Sequence, residues 1–554
     1  MTDQTTEMTP WWRGATIYQI YPRSFCDSTG NGVGDLPGIT SKLEYVRDLG
    51  VDAIWLSPFF TSPMADFGYD VADYCDVDPM FGTLDDFDAL AARASQLGLR
   101  LIIDQVYSHT SVAHPWFQAS AGATSGDMRD WYVWADAGPD GVPPNNWQAV
   151  FGGPSWTWSG ERQQYYLHNF LPEQPDLNVH HPAVQEALLD VARFWLERGV
   201  SGFRLDALQC LMHDVALRDN PPSDNPAADR PYHMQQHLYD QGHPDVVEFL
   251  RRMRVLTDQY DGIFTVAEVG SANPLPQMRE FTAPGVLNSA YSFDFLSAKH
   301  CDPEVLRASL TAWPNDEPAA SVSTQQPAAG WPSWAFSNHD APRVASRWTG
   351  NQPNPRSSKL FALLLLSLRG NVFIYQGEEL GLAQADIPFD QLVDPEAIKH
   401  WPNTMGRDGA RTPMPWQQNA SQAAFSTQSP WLPIAPSHRS AAVDQQLDDP
   451  ASVLHFFREL IALRQASRAL RSGHFEFLES AYELIVIRRW HNDEQWLGVF
   501  NVTDAPTVFK LPASPASPAS PASPASASRF VVGDVQGETT LALAAHSAVL
   551  MRLA

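Results

Sequence analysis

Eight short apolar runs alternate with helix-like stretches along most of this chain, and that alternation restricts the fold more than any other feature. The runs are 15-ATIYQIY-21, 51-VDAIWLS-57, 99-LRLIIDQV-106, 200-VSGFRLD-206, 262-GIFTVAEV-269, 289-SAYSFDF-295, 333-SWAFSN-338 and 371-NVFIYQG-377. Strands that are almost continuously apolar are buried on both faces, as in a parallel sheet covered by its connecting helices. Eight such units are what a closed (β/α)8 barrel, the TIM barrel, requires. The helices carry their own punctuation. In 83-TLDDFDALAARASQLG-98, Thr83 and Asp86 make an N-terminal capping pair, Phe, Ala and Leu supply the 3.6-residue stripe, and Gly98 can stop the helix in a left-handed conformation. The segment 40-TSKLEYVRDLG-50 does the same ahead of the second strand.

A chain of 554 residues is too long for one core, so the barrel should carry smaller companions. After the third strand come about seventy residues rich in Trp, Gly, Pro and Asn before a helix begins near Pro182, far more than an ordinary βα loop. The catalytic barrel is therefore expected over 1–106 and 182–470, with a small inserted domain at 107–181 overhanging its C-terminal face. Beyond about residue 470, alternating runs such as 484-LIVIRRW-490, 495-QWLGVFNV-502 and 546-HSAVLMRLA-554 point to a C-terminal antiparallel β-sandwich over 471–554. Inside it, the repeat 512-ASPASPASPASPASAS-527 has nothing to bury and is expected as an extended, solvated loop.

Charge narrows the partners. A formal charge of −26 repels nucleic-acid backbones and anionic membranes, which leaves a neutral or polar small molecule as the ligand class. The segment MTDQTTEMTP has no basic and apolar signal pattern, and 360-LFALLLLSL-368 is too short to span a bilayer, so a soluble, cytoplasmic protein, monomer or homodimer, is expected. Cys26, Cys75, Cys210 and Cys301 are widely spaced and form no C-x-x-C pair; free, mostly buried thiols are expected.

Chemistry in a barrel gathers at the C-terminal ends of the strands. Here those ends hold Asp104 and His109 (third strand), Arg204 and Asp206 (fourth), Glu268 (fifth) and 338-NHD-340 (seventh). Taken singly, an Arg-x-Asp pair is an ordinary structural ion pair and an Asn-His-Asp an ordinary turn. Together they place three carboxyl groups, Asp206, Glu268 and Asp340, at one mouth.

The segments 200-VSGFRLDALQ-209, 266-VAEVG-270, 337-SNHDAPR-343, 104-DQVYSHT-110 and 173-EQPDLN-178 resemble, in order, the motif set of glycoside hydrolase family 13, the α-amylase family. QPDLN and 409-GARTPMPW-416 narrow the resemblance to its oligo-1,6-glucosidase and α-glucosidase branch. The resemblance implies Asp206 as the nucleophile that forms a β-glycosyl-enzyme, Glu268 as general acid/base and Asp340 as the acid that holds substrate hydroxyls. Arg204, beside Asp206, should keep the nucleophile ionised, and Glu268 should titrate above it. A retaining mechanism calls for two carboxyl groups about 5–5.5 Å apart. His109 and His339 match histidines that bind sugar hydroxyls. Asp66 and Tyr69 match positions that grip and underlie the terminal glucose, with Arg411 as the partner on the opposite wall. Gln174, Phe170 and Phe151 are candidates for the rim, although the two phenylalanines are equally suited to the inserted domain's own core. Ala207 matches a position where a small residue accompanies α-1,4 substrates and valine α-1,6.

The loop 27-DSTGNGVGD-35 alternates oxygen ligands with glycines, as a loop around a hard cation must. It resembles the family's metal loop at Asp27, Asn31 and Asp35, with Val33 offering its carbonyl, and departs at Thr29, usually Asn, and Asn31, usually Asp. A structural Ca²⁺ or Mg²⁺ ion and no organic cofactor are implied. Ser108 replaces a usual Asn, which counts against a metal shared with the inserted domain. The function expected is an exo-acting, retaining α-glucosidase on terminal α-1,4 glucose of maltose-like substrates, with transglucosylation. The alternatives are an oligo-1,6-glucosidase or a sucrose-directed isomerase or transferase. More remote is a non-catalytic transporter-associated homologue; such proteins lose catalytic acids that this chain keeps.

Overall fold

The computed structural model describes residues 9–123, 125–126, 128–225, 230–313, 330–404, 406–480, 483–511 and 524–553. Its centre is a closed barrel of eight parallel strands: β1 (Thr16–Ile20), β2 (Ala53–Leu56), β3 (Arg100–Gln105), β4 (Gly202–Leu205), β5 (Phe264–Val269), β6 (Ser289–Ser292), β7 (Trp331–Ala335) and β8 (Asn371–Tyr375). Each strand pairs with its neighbours in sequence, and β8 closes on β1 with Thr16 opposite Val372. Every apolar run read as a strand is one of the eight.

Period-two alternation divides these strands between two cores. Ile17, Ala53, Trp55, Ile102, Phe264, Val266, Tyr291, Ala335 and Phe373 form one cluster, the filling of the barrel. The opposite parity, including Tyr18, Ile54, Leu101, Phe203, Ala267, Trp334 and Val372, packs with helix residues in the main cluster. Gly202 cannot be replaced without disturbing this register, because an added Cβ would sit 2.4 Å from the Phe264 carbonyl oxygen of the adjacent strand.

The covering helices include α1 (Leu36–Leu49), α2 (Leu84–Gln96), α3 (Pro182–Glu197), α4 (Val246–Thr257) and α5 (Pro355–Ser367). Thr83 and Asp86 form a complete capping box on α2, and Gly98 after it has φ 76°. Helix α1 starts earlier than the sequence indicated, because Asp35 caps it by accepting from the Gly38 N–H at 2.6 Å. The run 360–368 lies largely within α5 and is buried in the main core. Among the described residues no helix is long and apolar enough to cross a membrane. The four cysteines are free, Cys26 and Cys210 buried and Cys75 and Cys301 half-buried.

Between β3 and α3 the chain forms a helix, Pro115–Ala121, and a three-stranded antiparallel sheet of Trp134–Ala135, Gln164–Leu167 and Trp156–Ser159. Its core of Val133, Ala135, Trp147, Trp156 and Leu167 also takes in Leu217 and Tyr239 from the 207–245 segment after β4. That second long βα loop escaped the sequence reading, although 218-RDNPPSDNPAADRPYHMQQ-236 carries the same Pro- and Asn-rich signal.

The last part of the chain forms a five-stranded and a three-stranded antiparallel sheet. Leu484, Val486, Leu497, Val499, Val549 and Met551 share a core with Phe509, Leu541 and Leu543. Their alternates Ile485, Ile487, Phe500 and Leu550 belong to the main core. Residues 512–523 of the Pro-Ala-Ser repeat lie outside the described residues. The loop expected through 527 ends sooner, because Pro524–Val532 is an edge strand whose Pro524 pairs with Leu553. A proline at the first position of an edge strand loses no hydrogen bond the sheet needs.

Candidate active site

The parity that sends Ile102 and Val266 into the barrel delivers Asp104 and Glu268 two residues later on the same face. Gly202 lies opposite Ile102, so Arg204 and then Asp206 follow the same parity to the barrel mouth.

Arg204 is fully buried and serves all of these acids. Its Nη1 donates to Asp104 Oδ1 and to Asp206 Oδ1, 2.6 Å each, and its Nη2 donates to Glu268 Oε1. Its Nε donates to the Tyr291 hydroxyl at 3.1 Å, which in turn donates to Glu268 Oε1 at 2.9 Å. The guanidinium carbon lies 5.1 Å from the centroid of the Trp55 ring, a cation–π contact. The backbone N–H of Ala207 donates to Glu268 Oε2 at 3.1 Å.

One positive charge thus faces three carboxyl groups. Burial pushes Asp206 and Glu268 each up to about 7 and Asp104 up to about 6; the pull of Arg204 on each is the smaller effect. Glu268 was expected to titrate above an ionised Asp206; burial instead raises both alike, and the guanidinium is shared rather than private to Asp206.

Asp340 behaves oppositely. Burial alone would raise it, but His339, Arg411 and Arg407 together hold it below the ordinary carboxylate range. Arg411 Nη2 donates to Asp340 Oδ1 at 2.8 Å, and Arg411 Nε to the His339 carbonyl at 2.7 Å. His339 is buried with both ring nitrogens engaged: Nδ1 lies 2.8 Å from Gln19 Nε2, and Nε2 meets the Tyr69 hydroxyl and, at 3.2 Å, Asp340 Oδ2. The Tyr69 ring stacks on it at 5.4 Å, and the Tyr69 hydroxyl donates to Asp104 Oδ2 at 3.2 Å. Burial takes His339 down to about 3 and His109 down to about 4, so both are neutral at neutral pH.

Asp66 does not meet Arg411, as the sequence reading had it. Its partner is Arg407, whose Nη2 donates to Asp66 Oδ1 and to Asp394 Oδ1, each at 2.8 Å. The 3-10 turn Asp408–Ala410 separates the two arginines, so that Arg411 reaches Asp340 while Arg407 reaches Asp66. Asp66 Oδ2 accepts from Gln174 Nε2 at 3.2 Å, and the same nitrogen lies 3.0 Å from His109 Nε2. Ser108 Oγ lies 3.0 Å from the other ring nitrogen of His109. Phe170 packs on His109 with ring centroids 5.2 Å apart, and the Arg407 guanidinium lies 4.9 Å from the Phe151 ring. Neither phenylalanine belongs to the small core of the 107–181 segment.

The short helix Pro395–His400 ties this wall to its surroundings. Asp394, at its N-cap, holds Arg407; Glu396 pairs with Arg230 at 2.6 Å; Lys399 Nζ donates to the Gly152 carbonyl at 2.6 Å; and His400 Nε2 lies 3.1 Å from the Phe151 carbonyl. Arg407, Asp394 and Tyr291 were not found from the sequence. For Arg407 the available signal was a second arginine four positions before Arg411 in 406-GRDGAR-411.

The loop 27–35 is knitted to itself. Asp27 Oδ1 accepts from the N–H groups of Thr29 (2.9 Å) and Gly30 (2.7 Å), and Oδ2 from Gly32 N (2.8 Å) and Ser426 Oγ (2.6 Å). Asp35 caps α1 and also accepts from Ser28 N (2.9 Å), while Asn31 Oδ1 accepts from Val33 N (2.8 Å). The donor set, two carboxylates with amide and carbonyl oxygens, suits a hard cation. Among the described residues, the group of three metal-ligand side chains close enough to share an ion is instead His180, His243 and Asp245.

Residues 19–473 match the model of the α-amylase catalytic domain. The chain is 51% identical over 517 residues to a probable α-glucosidase of Rhizobium meliloti, covering 91% of each. It is 34% identical to an oligo-1,6-glucosidase of Parageobacillus thermoglucosidasius, covering 91% of this chain and 92% of the relative. The crystal structure of the α-glucosyl transfer enzyme XgtA superposes with a TM-score of 0.91 at 47% identity, over 99% of this chain and all of that one. The trehalulose synthase MutB of Pseudomonas mesoacidophila gives 0.84 at 30%, with 99% and 100% coverage.

These similarities overturn the α-1,4, maltose-directed expectation: the similar proteins include an oligo-1,6-glucosidase, an α-glucosyl transfer enzyme and a trehalulose synthase. Ala207 is left-handed (φ 42°, ψ 45°), a conformation that a small residue adopts with less strain than a β-branched one.

Proposed function

The chain belongs to the α-amylase family of glycoside hydrolases, and from that premise we propose that it is a retaining glucosidase and transglucosylase acting on α-1,6-glucosides or sucrose-type disaccharides. The observation that carries this reading is the Arg204 guanidinium, which binds Asp206 through one terminal nitrogen and Glu268 through the other. A single-guanidinium bridge suits the spacing of about 5–5.5 Å of a retaining pair better than the roughly 6.5–9.5 Å of an inverting one.

In this reading Asp206 attacks the anomeric carbon while Glu268 gives its proton to the departing glycosidic oxygen, leaving a β-glucosyl ester on Asp206. The ionised Glu268 then takes a proton from an incoming hydroxyl, which attacks the same carbon and frees Asp206 with α configuration restored. Capture by water is hydrolysis, and capture by a sugar hydroxyl is transfer. If fructose released from sucrose attacks again through a different hydroxyl, the net result is isomerisation. Asp340, held ionised between His339 and Arg411, binds ring hydroxyls and favours the oxocarbenium-like transition state. Asp66 and Arg407 close the pocket beyond the terminal glucose, with Tyr69, His109 and Gln174 around the ring and Phe151 and Phe170 at the rim. Asp27, Thr29, Asn31, Val33 and Asp35 would hold a structural Ca²⁺ or Mg²⁺ ion and rigidify the entry to α1. The enzyme works in the cytoplasm on small sugars.

Initial rates on isomaltose, sucrose and maltose, with the first-formed anomer followed by NMR, test the proposal. The expected result is α-glucose first, transfer products that grow with acceptor concentration, and a higher kcat/KM for isomaltose or sucrose than for maltose. Release of β-glucose refutes the mechanism; preference for maltose refutes the substrate assignment.

A further inference from the structure

The 207–245 loop starts at the nucleophile and ends in a cluster that the sugar chemistry does not use. His180 lies two residues before α3, where the 107–181 segment closes. His243 and Asp245 lie immediately before α4. One ligand atom from each of the three falls within 4.8 Å of the other two.

A hydrogen bond sets the His180 ring in a ligand-ready tautomer. His180 Nε2 lies 2.8 Å from the His213 carbonyl, which can only accept, so that nitrogen carries the proton and Nδ1 is bare. A backbone carbonyl behind the non-ligating nitrogen is the support that metal-bound histidines use. His243 Nδ1 carries no proton, because it accepts from the Asp245 N–H at 3.3 Å; it lies 3.8 Å from Asp245 Oδ2 and would exchange that long hydrogen bond for an ion. The His180 and His243 rings stand nearly perpendicular, centroids 4.8 Å apart. Burial and the neighbouring His180 lower His243 from its ordinary value. The two histidines are half-buried and Asp245 is exposed, which leaves an ion a way in and room for water.

We propose that His180, His243 and Asp245 bind one Zn²⁺ ion, with water completing the coordination. Two imidazoles and a carboxylate are a borderline donor set, which selects zinc over the hard cations suited to an all-oxygen loop. The ion would staple the end of the 107–181 segment to the start of α4. That is a second attachment between parts already joined where Leu217 and Tyr239 enter the small core.

The test uses the full-length enzyme, chelator-treated and then kept in Ca²⁺ and Mg²⁺ so that the 27–35 loop stays supplied. Titration with ZnCl₂ by calorimetry should show one equivalent bound, with a rise in Tm. CoCl₂ should give visible d–d absorption that zinc abolishes. His180→Ala and His243→Ala should each weaken binding by on the order of 100-fold. Asp245→Asn, a conservative change at an exposed position, should weaken it at least about tenfold. His300→Ala, at an exposed histidine elsewhere, should leave it unchanged. No saturable zinc binding at micromolar metal, or binding that survives Asp245→Asn and both histidine changes, overturns the proposal.

Discussion

Tyr291→Phe removes one hydroxyl and should move the alkaline limit of activity upward. That hydroxyl donates to Glu268 Oε1 at 2.9 Å and accepts from Arg204 Nε at 3.1 Å. A hydrogen bond to a charged group contributes about 1.5–3 kcal/mol. Glu268 would keep its bonds from Arg204 and the Ala207 N–H, so the lower end applies, and about 1.4 kcal/mol corresponds to one pKa unit. The sign follows from which form is stabilised: the hydroxyl favours the carboxylate, so its loss raises the pKa. The general acid must be protonated, so kcat/KM falls as pH rises through the upper titration of the Asp206–Glu268 pair. That inflection should move from about 7 to about 8. The unpaired Arg204 Nε should also lower stability by about 1–3 kcal/mol, visible as a lower Tm. The assay is the pH profile of kcat/KM for both proteins on a substrate with a poor leaving group. An alkaline limb that stays put or moves down, in a variant with the expected drop in Tm, refutes the argument that Tyr291 acts on Glu268.

Glu268→Gln should lower kcat by about 10²–10⁴-fold on disaccharides but much less on aryl glucosides, whose leaving groups need no proton; equal losses would remove Glu268 as the acid. Asp206→Asn should reduce turnover to background with Tm little changed, and activity near wild type would remove it as the nucleophile. Arg407→Ala strands Asp66 and Asp394, both buried, and should cost about 3–5 kcal/mol in denaturant unfolding together with a large rise in KM; an unchanged KM would detach Arg407 from the glucose pocket. Prolonged dialysis against a chelator should lower Tm in wild type, with a smaller loss in Asp27→Asn; no change in wild type would show that the 27–35 loop holds without an ion.

The barrel was legible because its strands are buried on both faces, so Ile54, Ile103, Val266 and Ile374 read as apolar runs without any knowledge of their neighbours. Asp104, Arg204 and Glu268 were legible for the same reason, as charges interrupting such runs. What stayed hidden depends on contacts between distant segments. Asp66 and Arg407 are 341 positions apart, and Arg407 sits among short turns with no periodicity to frame it. The sharing of Arg204 was also invisible, since local spacing ties it to Asp206 and only barrel closure brings Asp104 and Glu268 to the same guanidinium. Asp35 shows a role beyond its motif: the loop drew attention to it as an ion ligand, and in the structure its side chain also caps α1.

The helix Pro395–His400 fastens Arg407, the Phe151 backbone and Arg230 of the segment after Asp206 to one short element. In the proposed function, a sugar released at this mouth would have to pass these tethered groups. A departing molecule that lingers beside the glucosylated aspartate has time to rotate and offer another of its own oxygens. Slow escape, more than any special affinity for acceptors, is what would turn a hydrolase framework toward rearranging its sugars.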